Sequence, residues 1–171
     1  ASAVASWSRL TPELQERPGG GLDEGVVVDV GVDIVAGDVR AEAGAVISSA
    51  MRMGLQVELL TGDSSSQGPL LARALDIETV NYGQTPQQKM ARVQQLQENG
   101  AVVAVVGDGL NDAPVLGIAD AYFAVAGATD LARSQADFVI VGGDLHKIIE
   151  TLHKARQCRQ VVRQNFTWAL V

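Results

Sequence analysis

The chain has 171 residues, of which 47% are hydrophobic and 19% are charged, a mixture typical of one folded domain rather than a disordered segment. The net charge of −7 argues against a nucleic-acid partner, because general binding to nucleic acid needs a positive surface field. A single cysteine, Cys158, excludes an internal disulfide framework and a cysteine-rich zinc site.

The first part of the chain predicts a loop followed by short strands and one helix. Residues 1–25 have no regular pattern and contain a run of three glycines, which is typical of a loop or linker. The valine-rich segments Val26–Val30 and Val32–Val35 predict two strands around a glycine turn. Apolar residues at helical spacing predict a helix over Val39–Met53, and a strand follows over Val57–Leu60.

The second part of the chain alternates between helices and apolar runs of strand length. Helices are predicted over Ser66–Leu75 and Gln87–Asn99, and a long helix is predicted from Asp144 onward, with basic residues over His146–Ala169. Strands are predicted over Ala101–Val106, Tyr122–Val125 and Phe138–Val141. Because helices separate the strands, the sequence predicts an α/β fold with a parallel sheet that is covered on both faces.

The first candidate site is the loop Thr61-Gly62-Asp63, which follows a predicted strand. Ligands of open α/β sheets bind at the carboxyl ends of strands. A hydroxyl group, a flexible glycine and backbone N–H groups at such a strand end can cradle a phosphate. The same residues also suit an ordinary glycine turn with a capping side chain, so this loop alone leaves both interpretations open.

The second candidate site is the loop GDGLNDAP over residues 107–114, which follows the strand predicted at Ala101–Val106. Asp108 and Asp112 lie four residues apart and Asn111 lies between them, so the loop carries several of the hard oxygen ligands that suit Mg²⁺. The glycines at 107 and 109 allow the backbone to turn sharply beside the first carboxylate.

A lysine lies between the two loops in the sequence. Pro86 occupies a position typical of a helix start, which places Lys89 in the first turn of the predicted helix. The helix dipole does not favour a cation there, so a solvated side chain is the simplest interpretation of this lysine alone. Together with the two loops, the ordered set of threonine, lysine and paired aspartates indicates that Lys89 is a phosphate clamp.

The motifs resemble, in order and spacing, the phosphorylation domain of heavy-metal-transporting P-type ATPases, which belong to the haloacid dehalogenase superfamily. They are TGD at 61–63, PxxK at 86–89, GDGLNDAP at 107–114, GATD at 127–130 and ADFVI at 136–140. The resemblance is strongest over Leu59–Val141 and leans toward copper transporters, on the segment Arg163–Ala169. It implies a Rossmann-like three-layer α/β sandwich with a mostly parallel sheet, and ATP-driven cation export by the full-length protein, with Mg²⁺ and ATP as cofactors.

The resemblance also implies a role for each matching residue. Thr61 and Gly62 are expected to hydrogen-bond the phosphoryl group, Lys89 to neutralise its charge, and Asp63 to face the nucleotide. Asp108 is expected to coordinate Mg²⁺, and Asn111 and Asp112 to order the surroundings of the metal. The expected catalytic residues are thus Thr61, Lys89, Asp108 and Asp112. The expected phosphate-binding or nucleotide-binding residues are Gly62, Asp63, Gly107, Gly109 and Asn111.

Two departures from the family pattern stand out. The family nucleophile lies in an Asp-Lys-Thr-Gly-Thr segment, which these 171 residues do not contain, so the isolated chain is expected to be inactive. In addition, Gly37 stands where the family has an aspartate at the hinge. Because the nucleophile's strand is central in the superfamily sheet, the resemblance predicts a gap with an open sheet edge. The chain would close this gap by rearrangement, pair with a second copy of itself, or form part of a larger protein.

The family pattern also predicts how the chain is divided. Residues 1–25 are expected to be the tail of the nucleotide-binding domain or a linker, and residues 26–144 the core of the phosphorylation domain. Residues 145–171 have a net charge of +4, against −11 for the rest, and end with Phe166 and Trp168. This is typical of a cytoplasmic approach to a membrane helix. The expected partners are therefore the nucleophile segment, the nucleotide-binding domain and the transmembrane domain of an integral inner-membrane or plasma-membrane protein.

Two alternatives remain open at the level of sequence. One is a soluble phosphatase of the same superfamily, which also needs an aspartate nucleophile. Asp29 and Asp33 follow valine runs, although neither is followed by the pattern of a superfamily nucleophile. The other is a non-catalytic regulatory module derived from such an enzyme.

Overall fold

A computed structural model describes residues 41–62, 73–109 and 113–169. The predicted strands over residues 26–35, most of the helix predicted at Ser66–Leu75 and the hinge residue Gly37 lie outside the described residues. Three expected site residues, Asp63, Asn111 and Asp112, also lie outside them.

The described residues form helices and strands that alternate along the chain, as the sequence predicts. The helices are α1 (Ala41–Arg52), α2 (Pro86–Glu98), α3 (Ala113–Leu116), α4 (Asp130–Gln135) and α5 (His146–Ala169), and the strands are β1 (Glu58–Leu60), β2 (Thr79–Asn81), β3 (Ala104–Gly107), β4 (Ala121–Ala124) and β5 (Phe138–Val139). A short 3₁₀ helix, Val141–Gly143, precedes α5.

All strand pairs of the described part are parallel, and the strands form two sheets. Strand β1 pairs with β2, while β4 lies between β3 and β5. The prediction of an open sheet edge stays a prediction, because residues 1–40 lie outside the described part.

The sequence predicted some elements wrongly. Strand β2 was missed because only one of its three residues, Val80, is apolar and the strand is half-exposed. Strand β3 begins at Ala104 rather than Ala101, because Asp120 accepts a hydrogen bond from the Val103 backbone in place of a strand partner. The short helices α3 and α4 were also missed, since four and six residues are too few to show a helical period.

Two apolar clusters lie on the two faces of the sheets, and alternate residues of β3 and β4 contribute to each. Val106 and Phe123 belong to the cluster that α1 and the start of α5 cover. Val105 and Tyr122 belong to the cluster that α2, α3 and α4 cover. Because side chains of a strand alternate between its faces, this division produces three layers, and the predicted three-layer α/β sandwich is confirmed.

Helices hold the two sheets side by side. Leu59 of β1 and Val106 of β3 are both almost fully buried in the cluster below α1. On the opposite face, α2 packs on the three-stranded sheet through Val93 and Leu96. The same helix reaches β1 through an ion pair between Arg92 and Glu58. Helix α2 therefore links the strands that carry the two candidate loops.

Helix α5 has the same bounds as the predicted basic helix, His146–Ala169. Its first turn is anchored by buried Ile148, and Arg156 donates a hydrogen bond of 2.8 Å to the backbone oxygen of Met53. Toward its end the helix is exposed, including Phe166 and Trp168. None of the helices in the described ranges combines the length and the apolar character needed to cross a membrane.

Candidate functional site

The first candidate loop extends the pairing of β1 and β2 by one residue. The backbone N–H of Thr61 donates to the oxygen of Asn81 at 3.0 Å, and the N–H of Gln84 donates to the oxygen of Thr61 at 2.9 Å. Thr61 is half-buried, while Gly62 is exposed. A Cβ atom at Gly62 would lie 3.4 Å from the oxygen of Gln84. The segment after β2 therefore fixes the backbone at Thr61 and leaves Gly62 accessible to a ligand.

The second candidate loop begins at the carboxyl end of β3. The backbone oxygen of Gly107 accepts a hydrogen bond from Val125 at 3.0 Å, and the oxygen of Asp108 accepts one from Thr129 at 2.9 Å. Asp108 is half-buried. Its position is thus fixed by two backbone hydrogen bonds from the segment that follows the neighbouring strand β4.

Gly109 is required by close packing as well as by its backbone conformation. Its φ of +76° lies in the left-handed region, and a Cβ atom there would lie only 2.2 Å from the Cβ of Ala132 in α4. Thr129 caps this helix by accepting a hydrogen bond of 3.1 Å from the Ala132 backbone. Helix α4 therefore lies directly against the loop that carries Asp108.

Thr129 is a supporting residue that the sequence reasoning did not assign. Its motif, GATD at 127–130, is part of the family resemblance but predicts no role for the threonine. The signal that could have identified it is a threonine followed by an aspartate at a helix start, because this pair is typical of a helix N-cap.

Lys89 lies in the first turns of α2, whose start is held by a capping box. The Thr85 hydroxyl accepts from the Gln88 backbone at 3.3 Å, and the Gln88 side chain accepts from the Thr85 backbone at 2.9 Å. Lys89 itself is only 4% exposed. The alternative interpretation of this lysine as a solvated residue is therefore wrong, since a buried cation needs compensating contacts.

The ion pair between Glu58 and Arg92 was also missed by the sequence reasoning. The guanidinium donates from Nη2 to Oε1 at 2.6 Å and from Nε to Oε2 at 3.0 Å, so the pair is bidentate. The hydrogen bond and the negative charge of Glu58 raise the pKa of Arg92, against the opposing effect of burial. A glutamate inside the otherwise apolar run before TGD was the available signal.

The described residues hold only part of the expected magnesium site. The parts of the chain that the structure covers contain no group of three or more His, Cys, Asp or Glu residues that could hold a metal ion. Asp108 supplies one carboxylate of the kind that Mg²⁺ prefers, on a fixed backbone. This single donor fits magnesium, and further ligands would have to come from elsewhere.

A family model described as haloacid dehalogenase-like hydrolase matches residues 7–120, about two thirds of the chain. The chain belongs to this family. Among curated relatives of this haloacid dehalogenase-like chain is the probable copper-transporting ATPase PacS of Synechococcus elongatus, 39% identical over 80% of this chain and 18% of that protein. The probable copper-exporting P-type ATPase V of Mycobacterium tuberculosis is also 39% identical, over 82% of this chain and 18% of its own length.

Solved structures support the same assignment. A zinc-transporting PIB-type ATPase in its E2.Pi state superposes with a TM-score of 0.73 and 32% identity, over 78% of this chain and 22% of that one. A haloacid dehalogenase family hydrolase of Streptomyces avermitilis superposes with a TM-score of 0.59 and 28% identity, over 71% of this chain and 78% of that one. The predicted fold and the resemblance to heavy-metal P-type ATPases are thereby confirmed. The chain spans less than a fifth of the length of the curated relatives quoted above.

Proposed function

We propose that this haloacid dehalogenase-like chain forms the magnesium-binding and phosphate-binding half of the phosphorylation site of an ATP-driven heavy-metal exporter, with copper as the leading candidate cargo. The observation that carries the proposal is the loop at the end of β3. It combines a fixed Asp108 backbone with a glycine, Gly109, at which a side chain would clash with Ala132. The same loop lies in the region that is 39% identical to two copper-transporting ATPases.

The proposed chemistry is phosphoryl transfer by positioning and charge neutralisation. Thr61 and Gly62 would hydrogen-bond the phosphoryl oxygens, and Lys89 would neutralise part of their charge. Asp108 would hold Mg²⁺, with Asn111 and Asp112 ordering the surroundings, and the ion would draw charge from the phosphoryl group when bound. Asp63 would face the nucleotide, and Gly107, the last residue of β3, would bring the strand backbone close to the ligand.

In this proposal the chain contributes no nucleophile, because it lacks the Asp-Lys-Thr-Gly-Thr segment. That segment would come from the remainder of a larger polypeptide, which would also supply the nucleotide-binding and transmembrane domains. The relatives support this arrangement, because each is several times longer than the matched region. They give no support to the alternative of a second copy completing the sheet.

The missing nucleophile can be tested on the chain itself. Incubation with ATP that carries a labelled γ-phosphate should leave no acid-stable, hydroxylamine-sensitive label on the protein, because no aspartyl phosphate can form. Labelling in this form would contradict the proposal that the chain lacks a nucleophile.

The proposed half-site can be tested by transplantation. Replacing the matching region of the Mycobacterium tuberculosis relative with this chain should retain metal-stimulated aspartyl-phosphate formation, and Asp108→Asn in the chimera should abolish it. The matched control is Asp76→Asn. Asp76 is exposed and has a φ of 56°, a conformation that asparagine also adopts readily. Equal activity of the two substituted chimeras would refute the role of Asp108.

A basic helix that leads toward a membrane is part of the same proposal. The five basic residues of the last 27 and the exposed Phe166 and Trp168 favour a cytoplasmic position next to a bilayer. In this scheme residues 1–25 belong to the nucleotide-binding domain or to a linker, residues 26–144 form the domain core, and residues 145–171 lead to the membrane. Protease accessibility in inverted and right-side-out vesicles of a full-length exporter would test this orientation.

A soluble phosphatase is the second candidate, since this chain covers 78% of the Streptomyces avermitilis hydrolase. Steady release of p-nitrophenol from p-nitrophenyl phosphate, abolished by Asp29→Asn or Asp33→Asn, would favour this function. If neither this activity nor activity of the chimera is found, a non-catalytic regulatory module becomes the better explanation.

A further inference from the structure

The second half of α5 extends beyond the elements on which its first half packs. Ile148 and Leu152 contact the apolar cluster below α1. Arg156 then donates its hydrogen bond of 2.8 Å to the backbone oxygen of Met53, directly after the end of α1. The helix continues to Ala169, and none of its described residues after Ile148 is buried. The later turns of α5 are therefore accessible to a partner.

The side of α5 that faces the core changes from apolar to cationic along the helix. Successive residues on this side are three or four positions apart, which is the spacing of one helical face. They are Ile148, Leu152, Arg156, Arg159 and Arg163. Because each residue advances a helix by about 1.5 Å, Arg163 lies about 10 Å further along the axis than Arg156. The apolar stripe that anchors α5 thus continues as a row of arginines.

The last two arginines of this row are not used by the described part of the fold. Arg159 is half-buried and Arg163 is exposed, and neither side chain has a hydrogen-bond or ion-pair partner within the described ranges. Like charges four residues apart on a helix repel each other, so an anion between them would relieve this repulsion. The planar guanidinium group stays charged and matches the geometry of phosphate oxygens.

A surface hollow of about 610 Å³ lies along the same row. Arg156, Arg159 and Arg163 line it together with Trp168, two glutamines and a threonine, and none of its described lining residues is acidic. Trp168 is 81% exposed. Tryptophan is enriched at the level of the lipid headgroups, and basic side chains are attracted to anionic lipids. The hollow therefore combines the two residue types that favour an anionic membrane surface.

The charge distribution indicates that only this end of the molecule would approach such a surface. Residues 145–171 have a net charge of +4 against −11 for the rest, and no acidic residue follows Glu150. An anionic surface attracts the end of α5 over about 10 Å, the Debye length, and repels the acidic body. An acidic protein segment would match the arginines but would not account for the exposed Phe166 and Trp168. A lipid surface matches both.

We propose that Arg159 and Arg163, together with Trp168, bind the phosphodiester headgroups of anionic phospholipids at a membrane surface. The inference rests on the proposed position of α5 next to a bilayer, and it adds the class of lipid and the residues that recognise it. Arg156 stays bound to Met53 and fixes the start of the row.

Co-flotation of the whole chain with lipid vesicles tests this binding. Vesicles of equal parts phosphatidylglycerol and phosphatidylcholine should bind the chain at low salt, and vesicles of phosphatidylcholine alone should bind it much less. Added salt should weaken the binding, because it screens the attraction. The double variant Arg159→Gln, Arg163→Gln should bind the anionic vesicles about 30-fold more weakly, roughly fivefold for each lost charge.

The matched control removes the same charge from another face of α5. Lys147→Gln with Lys154→Gln also takes away two positive charges, and both lysines are exposed. At about 100° per residue they lie about 120–180° around the helix axis from the two arginines. Most of the binding should remain in this control, because charges on the far face are screened. Circular dichroism of both double variants checks that the helix content is retained.

Trp168 reports whether the end of α5 enters the lipid surface. The chain contains two tryptophans, so Trp7→Phe leaves Trp168 as the single indole fluorophore. Its emission should move to shorter wavelength when anionic vesicles are added, because the indole leaves water for the headgroup region. Poly-glutamate, which offers negative charge without lipid, should cause no such shift.

Four outcomes would overturn the inference. They are failure of the unmodified chain to float with anionic vesicles at low salt, equal weakening by the arginine and lysine pairs, unchanged Trp168 emission on bound vesicles, and tighter binding to poly-glutamate than to the vesicles. If the double arginine variant loses helix content, Arg163→Gln alone should weaken binding about fivefold, and no weakening would refute the inference. The Asp108→Asn chimera decides the proposed function separately, so a failure of lipid binding and a failure of that function are distinguishable.

Discussion

The two sheets of this chain hold their halves of the candidate site by different physical means. Every residue of β3 and β4 is buried, and Phe123 stacks on Phe138 with ring centroids 4.6 Å apart. Strand β2 is half-exposed, and β1 contains the buried Glu58 that Arg92 neutralises. The half with Asp108 thus depends on apolar packing, while the half with Thr61 depends more on charged and polar contacts.

The two halves should therefore respond differently to salt and to substitution. Apolar packing is not screened by salt, and it fixes the backbone of the loop after β3 through many small contacts. A partly exposed ion pair is screened by salt and is lost when one partner is removed. We therefore expect substitutions in the three-stranded sheet to lower global stability most, and the effect of substitutions at the Glu58–Arg92 pair to depend on salt concentration.

The largest expected effect is in the apolar core of the three-stranded sheet. Phe123→Ala should lower the free energy of unfolding by about 4 kcal/mol, because it removes a side chain that is only 1% exposed. The matched control is Tyr82→Ala after β2, where the side chain is 37% exposed, and the expected loss is below about 1 kcal/mol. Urea denaturation monitored by circular dichroism measures both. Equal losses would show that the two sheets do not differ in packing.

The next largest loss of stability is expected in the loop that carries Asp108. Gly109→Ala should lower the free energy of unfolding by about 3 kcal/mol. It forces alanine into the left-handed backbone region and brings its Cβ into a clash with Ala132. Gly100→Ala is the matched control, because its φ is +91° and nothing lies near its Cβ position, so only the strain of about 1–2 kcal/mol is expected. Ala132→Gly in the Gly109→Ala background should recover part of the difference. Absence of any recovery would argue against the clash as the cause.

A smaller loss of stability is expected in the two-stranded sheet. Arg92→Gln should lower the free energy of unfolding by about 2 kcal/mol, because it leaves the buried Glu58 carboxylate without its charged partner. The side chain of Arg92 is 29% exposed, so solvent screening keeps the loss below that of a fully buried pair. Raising the salt concentration should reduce the difference between this variant and the unmodified chain in urea melts. A salt-independent difference would show that packing of the arginine stem, and not charge, dominates.

The smallest losses of stability are expected at Thr85 and Thr129, whose hydroxyl groups cap their helices in the same way. Thr129→Ala and Thr85→Ala should each cost about 1 kcal/mol, because each removes a hydroxyl that caps a helix. Thr129→Ala should in addition increase hydrogen exchange at Gly109, since Thr129 lies against this glycine, while Thr85→Ala should not. Thr129→Ser retains the hydroxyl and serves as the control. Equal exchange at Gly109 in the two alanine variants would contradict the link between α4 and the loop.

Local patterns in the sequence were enough to predict the fold class, the family resemblance and the bounds of α5. These patterns are apolar periodicity, glycine spacing and a motif of eight residues. It also identified the described candidates Thr61, Gly62, Lys89, Gly107, Asp108 and Gly109, whose roles remain proposals. It did not identify β2, whose pairing depends on a neighbour that is distant in the sequence. Three features became visible only in the folded chain: Lys89 is buried, Gly109 packs against Ala132, and Arg92 neutralises Glu58 across 34 positions of the chain. Burial and close approach result from the packing of whole elements, and no local pattern of residues encodes such contacts.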